Sequence, residues 1–462
     1  ILKSMLAQRS TNIIKSQFLG IISGLVFSSG LFALSNVYAQ SSPYSPQDYA
    51  VPSNLSNLHF YLISVDVGDD VWDNFGHTAL RVFDEDANLD RVFNWGTFDV
   101  SGGVISFSWE FFKGIMNYRL TTSAPSQEFS SYSAQGRTVW QDKINLTNPQ
   151  KERLYQRLLW NLEPSHVEYD YQYFFDNCTT KVRDYLDEAL DGNLSSQFQG
   201  LSQFSFRDHV QSHYKSIGLI AFSLDILMNS NIDRQISEWE EMFLPLKFRE
   251  HLLSIGSDVV ENGERRMLLS DSQLIVEFTP PTSDTNAHKF VFYLLAVPVF
   301  FLFLIIKRIQ QSYYAVRSQI GFRAPKLGYR LLSVLGGVTS LLSGIYGLLM
   351  LGGWFISDHT DTHHNINLLI FWPTDILGVI VALRWFFFCK AWPTNHNTAP
   401  FINYYLFAHL AAMCIYGIIA FLGVSEQQIA DVALYVLPGF FMYTVLICIV
   451  GFEPAKPRNE LI

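Results

Sequence analysis

One cysteine has the setting of a nucleophile. Of the four cysteines, Cys178 alone lies outside the strongly apolar segments, and it directly follows the aromatic stretch Tyr169–Asn177. The next residues, Thr179-Thr180-Lys181-Val182-Arg183, favour a helix. A thiol at a helix N-terminus faces the positive end of the helix dipole, which favours the thiolate, and neighbouring backbone N–H groups could bind an oxyanion. We therefore predict a nucleophile at Cys178; the alternative is an inert buried thiol.

A nucleophilic thiol needs a base, and His77 is the best candidate. It follows Asn74-Phe75-Gly76 and enters the strand-like segment Thr78–Asp84, so a glycine turn could hold its imidazole at the edge of a sheet. We therefore expect Cys178 and His77 to lie within reach of each other; the alternative is a structural histidine. Four further histidines of this region have no comparable context: His59, His166, His209 and His213.

The predicted strands and helices around Cys178 and His77 are grouped along the chain, the strands first and the helices after them. Alternation predicts short strands, at His59–Val67, Thr78–Asp84, Arg91–Asn94 and Gly103–Phe107. The helical period predicts four helices, at Pro149–Leu162, Asn177–Leu190, Phe206–Tyr214 and Ile236–Leu252. Strands and helices in blocks, rather than in strict alternation, indicate an α+β domain.

Apolar runs are confined to the two ends of the chain. Hydrophobic residues make up 49% of the 462 residues and charged residues 16%, but the uninterrupted runs lie near the N-terminus or after Lys289. Five C-terminal runs are each near the ~20 residues that a helix needs to cross a bilayer. They predict an all-α bundle of five transmembrane helices, at Phe290–Ile306, Leu331–Phe355, Leu368–Phe388, Phe401–Leu422 and Ile429–Val450.

The charges of the loops predict the orientation. Between the first two runs lie six basic residues and no acidic one, whereas the loops Gly353–Ile366 and Gly423–Gln428 contain neither Lys nor Arg. The positive-inside rule puts the basic loop and the tail with Lys456 and Arg458 in the cytoplasm, and the other loops outside.

The N-terminus predicts export. Three basic residues precede the apolar run Phe18–Leu34, and Val37-Tyr38-Ala39 offers small residues for cleavage. The alternative is an uncleaved anchor helix, because the run is long for a signal. The predicted organisation is a signal peptide (1–39), a linker (40–57), a periplasmic catalytic domain (58–254), a connector (255–288), a transmembrane domain (289–452) and a cytoplasmic tail (453–462). The net charge of −10 argues against nucleic acid as a partner.

Three motifs carry a resemblance to a known family. Phe75–Val82, Phe93–Asp99 and Phe174–Thr180 resemble the Lnb-type lipoprotein N-acyltransferase family. The resemblance continues in order through Phe111–Gly114 and Glu241–Pro245 and covers most of the chain. One departure is Trp95, where tyrosine is usual in the family.

The resemblance implies a fold, an activity and partners. The fold would be a permuted papain-like domain, similar to NlpC-type proteins and lecithin:retinol acyltransferase, in which the histidine precedes the cysteine. Cys178 would be the nucleophile and His77 the base, with Asp176 and Asn177 as candidate supporting residues. The donor would be a membrane phospholipid, the acceptors exported lipoproteins, and the location the bacterial inner membrane, with no cofactor.

A polar outer loop is a second candidate site. Its residues His359, Asp361, His363, Asn365 and Asn367 could bind an amine or a lipid headgroup; the alternative is a polar connector at the membrane surface. The spacing fits no standard zinc site, so no metal is predicted.

Two other functions remain open at this stage. The same Cys/His pair could serve a membrane-tethered cysteine peptidase or amidase that acts on peptidoglycan. A non-enzymatic envelope scaffold with a structural Cys178 is the other.

Overall fold

The computed structural model describes residues 54–69, 73–98, 104–115, 117–214, 218–280, 326–389 and 399–450. The chain divides into two compact units. We call residues 26–216 and 234–283 the sheet unit, and residues 1–25, 217–233 and 284–462 the helical unit. The predicted signal peptide, the run Phe290–Ile306 and the C-terminal tail lie outside the described residues.

The sheet unit is built on seven antiparallel strands in the order β11-β5-β1-β2-β3-β4-β6. The strands are β1 (His59–Val65), β2 (His77–Asp84), β3 (Leu89–Phe98), β4 (Asn117–Ser123), β5 (Val139–Ile144), β6 (Glu168–Asp170), β7 (Leu201–Ser205), β8 (Gln235–Ser237), β9 (Gly256–Glu261), β10 (Glu264–Met267) and β11 (Leu269–Val276). Two further antiparallel pairs, β7 with β8 and β9 with β10, form separate two-stranded sheets. Because β11 pairs with β5, the predicted connector contributes a strand to the main sheet.

Helices lie between the strands and at the end of the chain. They are α1 (Val104–Lys113), α2 (Pro125–Ala134), α3 (Asn148–Asn161), α4 (Cys178–Ala189), α5 (Asn193–Gln197), α6 (Phe206–His213), α7 (Gly218–Leu227), α8 (Glu238–Glu241), α9 (Pro245–Leu253), α10 (Lys326–Phe355), α11 (Gly378–Phe388), α12 (Ala399–Leu422), α13 (Ala430–Tyr435) and α14 (Leu437–Val450). Of these, α7 and α10 to α14 belong to the helical unit.

Alternation along the strands builds a core on each face of the sheet. One face, with Leu80, Phe93 and Trp95, packs with residues of α3 and α4. The other face, with Ile63 and Ala79, packs with Tyr132 of α2 and its neighbours. The expected α+β architecture of this region is therefore present, with α4 held against the strands that carry His77.

Two local predictions in the sheet unit are wrong. Val104–Phe107, from the segment Gly103–Phe107 predicted as a strand, belongs to helix α1, because a window of five residues cannot separate a period of 2 from one of 3.6. The helix predicted at Ile236–Leu252 is instead β8, α8 and α9, and the break falls at Pro245, which takes the first position of α9.

The helical unit contains two helices that are long and apolar enough to cross a membrane, Tyr329–Phe355 and Phe401–Leu422, among the described residues. The predicted span Leu368–Phe388 is bent by 63° between Thr360–Leu369 and Pro373–Phe388, so it counts at most as a broken span. The predicted span Ile429–Val450 is divided into α13 and α14, with Pro438 in the first turn of α14. Proline favours a helix start and disfavours a continuous helix, which explains both interruptions.

Candidate active site

The thiol of Cys178 lies at the first position of α4, and Asn177 caps that helix. Asn177 Oδ1 accepts hydrogen bonds from the N–H groups of Thr179 (2.8 Å) and Thr180 (2.9 Å). Its Nδ2 donates to the carbonyl oxygens of Tyr173 (2.9 Å) and Phe243 (3.0 Å). These four bonds engage both the oxygen and the nitrogen of the Asn177 amide. They fix the first turn of α4 and with it the position of Cys178.

His77 is placed by the turn before β2. Gly76 has φ +79°, and a Cβ there would lie 2.6 Å from the carbonyl oxygen of Val65, so only glycine fits. His77 is then the first residue of β2 and pairs with Val65 of β1. The predicted rigid position at the start of a strand is what the structure shows.

The buried Cys178 thiol lies beside the half-buried His77 ring. Burial raises the pKa of the Cys178 thiol, but the charge of His77 and a hydrogen bond from it lower the pKa more, and the net result is about 7. The Thr78 backbone N–H and the Thr179 hydroxyl add to the lowering. Burial lowers the pKa of His77, yet the charge of Cys178 and hydrogen bonds to Cys178 and Asn94 raise it overall. The arrangement therefore favours a thiolate–imidazolium pair near neutral pH.

A third side chain orients the imidazole. The Nε2 atom of His77 lies 2.8 Å from Asn94 Oδ1, which leaves Nδ1 as the ring nitrogen for Cys178. The amide of Asn94 is held in turn: its Nδ2 lies 3.3 Å from both carboxylate oxygens of Glu128 and from the Tyr132 hydroxyl. Cys178, His77 and Asn94 are thus arranged in the order that nucleophilic catalysis uses for a nucleophile, a base and a residue that orients the base.

Residues 46–212 match the family model of the Lnb N-terminal periplasmic domain. The matched range contains Cys178, His77 and Asn94. No curated protein and no solved structure matches the chain. The protein therefore combines a region similar to the Lnb N-terminal periplasmic domain with candidate membrane-spanning helices.

Gly96 lies against the Cys178–His77 pair. It has φ +109°, and a Cβ there would lie 3.6 Å from His77 Cε1 and 4.0 Å from Cys178 Cβ. A larger side chain would strain the backbone and crowd both groups.

A group of tyrosines lies near the thiol. Burial, followed by the charge of Cys178, raises the pKa of Tyr118, Tyr169 and Tyr171. Tyr118 pairs with Tyr169 across β4 and β6 and stacks on Tyr171 with 4.4 Å between ring centroids. The buried hydroxyl of Tyr169 has no hydrogen-bond partner among the described residues. Such a hydroxyl stays protonated at neutral pH and is free to donate to a substrate oxygen.

The expected oxyanion donors are mostly engaged. Asn177 takes the N–H groups of Thr179 and Thr180, which leaves that of Cys178 itself as the first-turn donor that the cap does not use. A cap residue and an oxyanion compete for the same donors, and sequence alone does not show which one has them. Tyr169 is the additional donor that the structure offers and the sequence did not single out.

The two predicted supporting residues have structural partners. Asp176 forms an ion pair with Lys181 at 2.8 Å, and burial raises its pKa. Asn177 is the cap described above. Neither Asp176 nor Asn177 makes a hydrogen bond to the His77 ring. Besides Cys178, the ring contacts Asn94, which lies in the motif Phe93–Asp99 but was not singled out as a site residue.

The predicted outer-loop residues lie in the helical unit, and several hold α7. Asn365 Nδ2 and Asn367 Nδ2 each donate to the carbonyl of Ile226 at 2.8 Å, at the end of α7. Asn365 is 4% exposed and Asn367 fully buried, so these amides serve the fold. The Asp361 carbonyl accepts from the Asn229 N–H, and His363 Nε2 lies 2.8 Å from the Ser357 carbonyl.

One member of this loop keeps the predicted role open. His359 is half-buried, and its carbonyl accepts a hydrogen bond from the Thr362 N–H. Its substrate-binding role stays a prediction.

Proposed function

We propose that the protein is a membrane-bound thiol acyltransferase that moves an acyl chain from a phospholipid to the α-amine of a lipid-modified cysteine on exported lipoproteins. The observation that carries the proposal is the buried Cys178–His77 contact with a thiol pKa of about 7, inside the region similar to the Lnb periplasmic domain. The bacterial inner membrane, with the C-terminus in the cytoplasm, is the proposed location.

The first half-reaction makes a thioester. The Cys178 thiolate attacks the carbonyl carbon of a phospholipid ester, and the carbonyl oxygen becomes an oxyanion. The Cys178 N–H and the Tyr169 hydroxyl are the proposed donors to that oxyanion. When the C–O bond breaks, protonated His77 gives its proton to the leaving alkoxide, so a lysophospholipid departs and neutral His77 remains.

The second half-reaction transfers the acyl group. The free amine of the acceptor attacks the thioester carbonyl, and His77 accepts the proton that the nitrogen loses. The C–S bond then breaks, which releases the amide and restores the thiolate–imidazolium pair. Asn94 holds the ring through Nε2 in both steps, so Nδ1 faces the reacting atoms throughout.

The membrane helices support lipid substrates rather than soluble ones. Both proposed substrates are anchored in a bilayer, and the chain carries at least two candidate spans of its own. Enzyme and substrates then share one membrane, which lowers the entropic cost of their encounter.

The deciding experiment incubates the purified full-length protein with a phospholipid labelled in its acyl chain. We expect a hydroxylamine-sensitive label on the Cys178 peptide, which a lipopeptide with a free N-terminal amine then removes as N-acylated product. Cys178→Ala should carry no label, and Cys389→Ser, which changes a cysteine at the end of α11, should be labelled like the wild type.

Two results would contradict the proposal. Release of peptides from purified cell wall without an acyl adduct would favour a cysteine peptidase or amidase. Neither adduct nor peptide release, with the Cys178–His77 contact intact, would favour a non-enzymatic role.

A further inference from the structure

The helical unit contains a cavity whose lining includes none of the candidate site residues named above. The cavity has a volume of about 500 Å³ and is enclosed by α10, α11, α12 and α14. Much of its wall is apolar, including Val381, Ile402 and Met413. Part of its lining is exposed at the outer surface of the bundle: Leu377 is 61%, Ile380 57% and Phe401 72% exposed. A cavity with an exposed apolar margin on a membrane helix is accessible to the hydrocarbon of the bilayer.

One end of the cavity is polar. The Asp375 carboxylate accepts hydrogen bonds from the hydroxyls of Ser343 (2.5 Å) and Tyr405 (2.6 Å). The Thr374 hydroxyl lies 2.8 Å from that of Tyr405. His409 Nε2 lies 3.0 Å from Asp375 Oδ1. We call Ser343, Asp375, Tyr405 and His409 the buried polar cluster; Thr374, at its margin, is exposed.

The buried polar cluster lies deep in the bilayer rather than at its surface. Ser343 is near the middle of the candidate span Tyr329–Phe355, about 18 Å from its Phe355 end at 1.5 Å per residue. His409 lies about 12 Å from the Phe401 end of the second candidate span by the same rise. Ionisable side chains at such depth are costly and are associated with ligand or proton pathways.

The backbone is arranged to bring the cluster to this depth. The segment of Asp375 is not a full membrane helix but follows the 63° bend before α11. Two glycines of α10 allow its approach: a Cβ on Gly344 would lie 2.7 Å from Ile376, and one on Gly347 would lie 2.6 Å from the Pro373 nitrogen. Irregular backbone at membrane depth is tolerated where it is packed in protein or lines a cavity, and here it does both.

One polar atom of the cluster is left without a hydrogen bond. His409 is 4% exposed and lines the cavity, and its Nε2 makes no hydrogen bond to any described residue although Asp375 is close. A buried ring nitrogen in this state can bind one more group. The described residues that line the cavity include no Lys or Arg, and His409 already faces the Asp375 carboxylate, so an anionic ligand would find no unpaired positive charge there.

We propose that this cavity binds a neutral long-chain lipid, with its hydroxyl or carbonyl oxygen hydrogen-bonded to His409 and its chain along the apolar wall. A phospholipid headgroup or a fatty carboxylate would bring a charge to mid-bilayer depth, where the site offers no counter-charge. This site is independent of the thiol chemistry proposed for Cys178.

The test uses photoaffinity labelling of the full-length protein in nanodiscs. Three probes carry a diazirine in an otherwise matched chain: a long-chain alcohol, a fatty acid and a phosphatidylcholine. The alcohol should label α11 and α12 peptides that line the cavity, and unlabelled alcohol should compete. Ile380→Trp, at the exposed margin, should abolish the competed labelling, whereas Leu348→Trp, on an exposed face of α10 outside the cavity lining, should leave it unchanged.

His409 variants test the hydrogen bond. His409→Leu should weaken the competing alcohol about tenfold, as expected for one lost hydrogen bond, while His409→Gln, which keeps an N–H donor, should stay within about threefold of the wild type. Monodispersity and Cys178 alkylation report that each variant is folded.

Three outcomes would overturn the proposal. Labelling that unlabelled alcohol does not compete means that bulk lipid is being sampled. Equal or stronger competed labelling by the phosphatidylcholine probe means that the site takes a zwitterionic phospholipid, and the same result with the fatty-acid probe means that it takes a carboxyl headgroup. Unchanged labelling in Ile380→Trp means that the probe binds elsewhere.

Discussion

At the scale of single residues, the reactivity of Cys178 comes from a balance between burial and its partner. Burial alone would keep the thiol protonated, and the imidazole of His77 reverses that effect. Burial opposes the charged form of both groups. Removing one of them would therefore leave the other without the partner that stabilises its charge.

The pH dependence of alkylation reads this balance directly. Because the pKa of Cys178 is lowered from 9 to about 7, the thiolate, and with it the rate of iodoacetamide alkylation, should rise with pH through about 7. In His77→Ala the lowering by His77 is lost and the raising by burial remains, so the midpoint of the alkylation rate against pH should move above 9. Mass spectrometry of the Cys178 peptide separates this signal from the three other cysteines. An unchanged midpoint in His77→Ala would contradict the assignment.

Asn94 should matter for rate more than for stability. Its hydrogen bond to His77 is made to a charged ring in the thiolate–imidazolium state, and such bonds contribute about 1.5–3 kcal/mol, so Asn94→Ala should slow thioester formation about 10- to 100-fold. Single-turnover acylation measures this.

Two comparisons separate positioning from packing. Asn94→Asp, which keeps an acceptor for Nε2, should recover part of the rate, and Thr97→Ala, on the same strand, should have little effect. Equal losses in Asn94→Ala and Asn94→Asp would indicate a structural role instead.

At the scale of elements, the first turn of α4 carries the site. Its cap uses both ends of one amide: the oxygen for two N–H groups of the helix and the nitrogen for carbonyls of Tyr173 and Phe243. The cap therefore joins α4 to the segments on either side of it, and a change there should reach the thiol.

Removing the cap should loosen α4. Asn177→Ala deletes an N-cap and two donors, which should lower the free energy of unfolding by about 1–3 kcal/mol and speed hydrogen exchange in Cys178–Arg183. Asn193→Ala, an exposed residue at the start of α5, is the matched control and should change neither quantity. Normal exchange in the α4 segment of Asn177→Ala would contradict the capping role.

At the scale of the whole molecule, the chain crosses between its two units more than once. Residues 217–233 belong to the helical unit, while the residues on both sides of them belong to the sheet unit. In the helical unit the end of α7 is held by Asn365, Asn367 and Gln427, whose amides donate to the carbonyls of Ile226 and Met228. The α7 segment is thus a second covalent tie between the units.

Asn367 should be the most sensitive point of that tie. It is fully buried, donates to Ile226 and accepts from the Tyr416 hydroxyl at 2.6 Å. Asn367→Leu leaves the Tyr416 hydroxyl unpaired and removes one of the two amides that donate to the Ile226 carbonyl, so we expect a loss of about 1–3 kcal/mol in unfolding free energy, seen as a lower melting temperature in detergent. The exposed Asn231→Leu should lower it much less. Equal melting temperatures for the two variants would show that the α7 contact contributes little.

Strand starts, helix starts and apolar helices could be predicted from the sequence, because each depends on residues close together in the chain. The strand that begins at His77, the helix that begins at Cys178 and the helix after Thr147 all follow from alternation, caps and period, and they appear as expected. Two of the apolar runs form helices of membrane length for the same reason. The pairing of His77 with Cys178 was predicted from the chemistry that a thiol needs, and the geometry brings the two together.

The side-chain partners at the site and the bend before α11 depend on tertiary contacts and could not be predicted from local sequence. Asn94 reaches His77 because β2 and β3 are paired in one register, and a register between strands is not written in either strand alone. The amides of three asparagines donate to carbonyl groups of residues distant in sequence, Phe243 for Asn177 and Ile226 for Asn365 and Asn367. The sequence alone therefore does not show whether such an amide binds a ligand or a backbone carbonyl. The bend before α11 depends likewise on glycines of another helix, because close packing is a property of two surfaces and local periodicity describes only one.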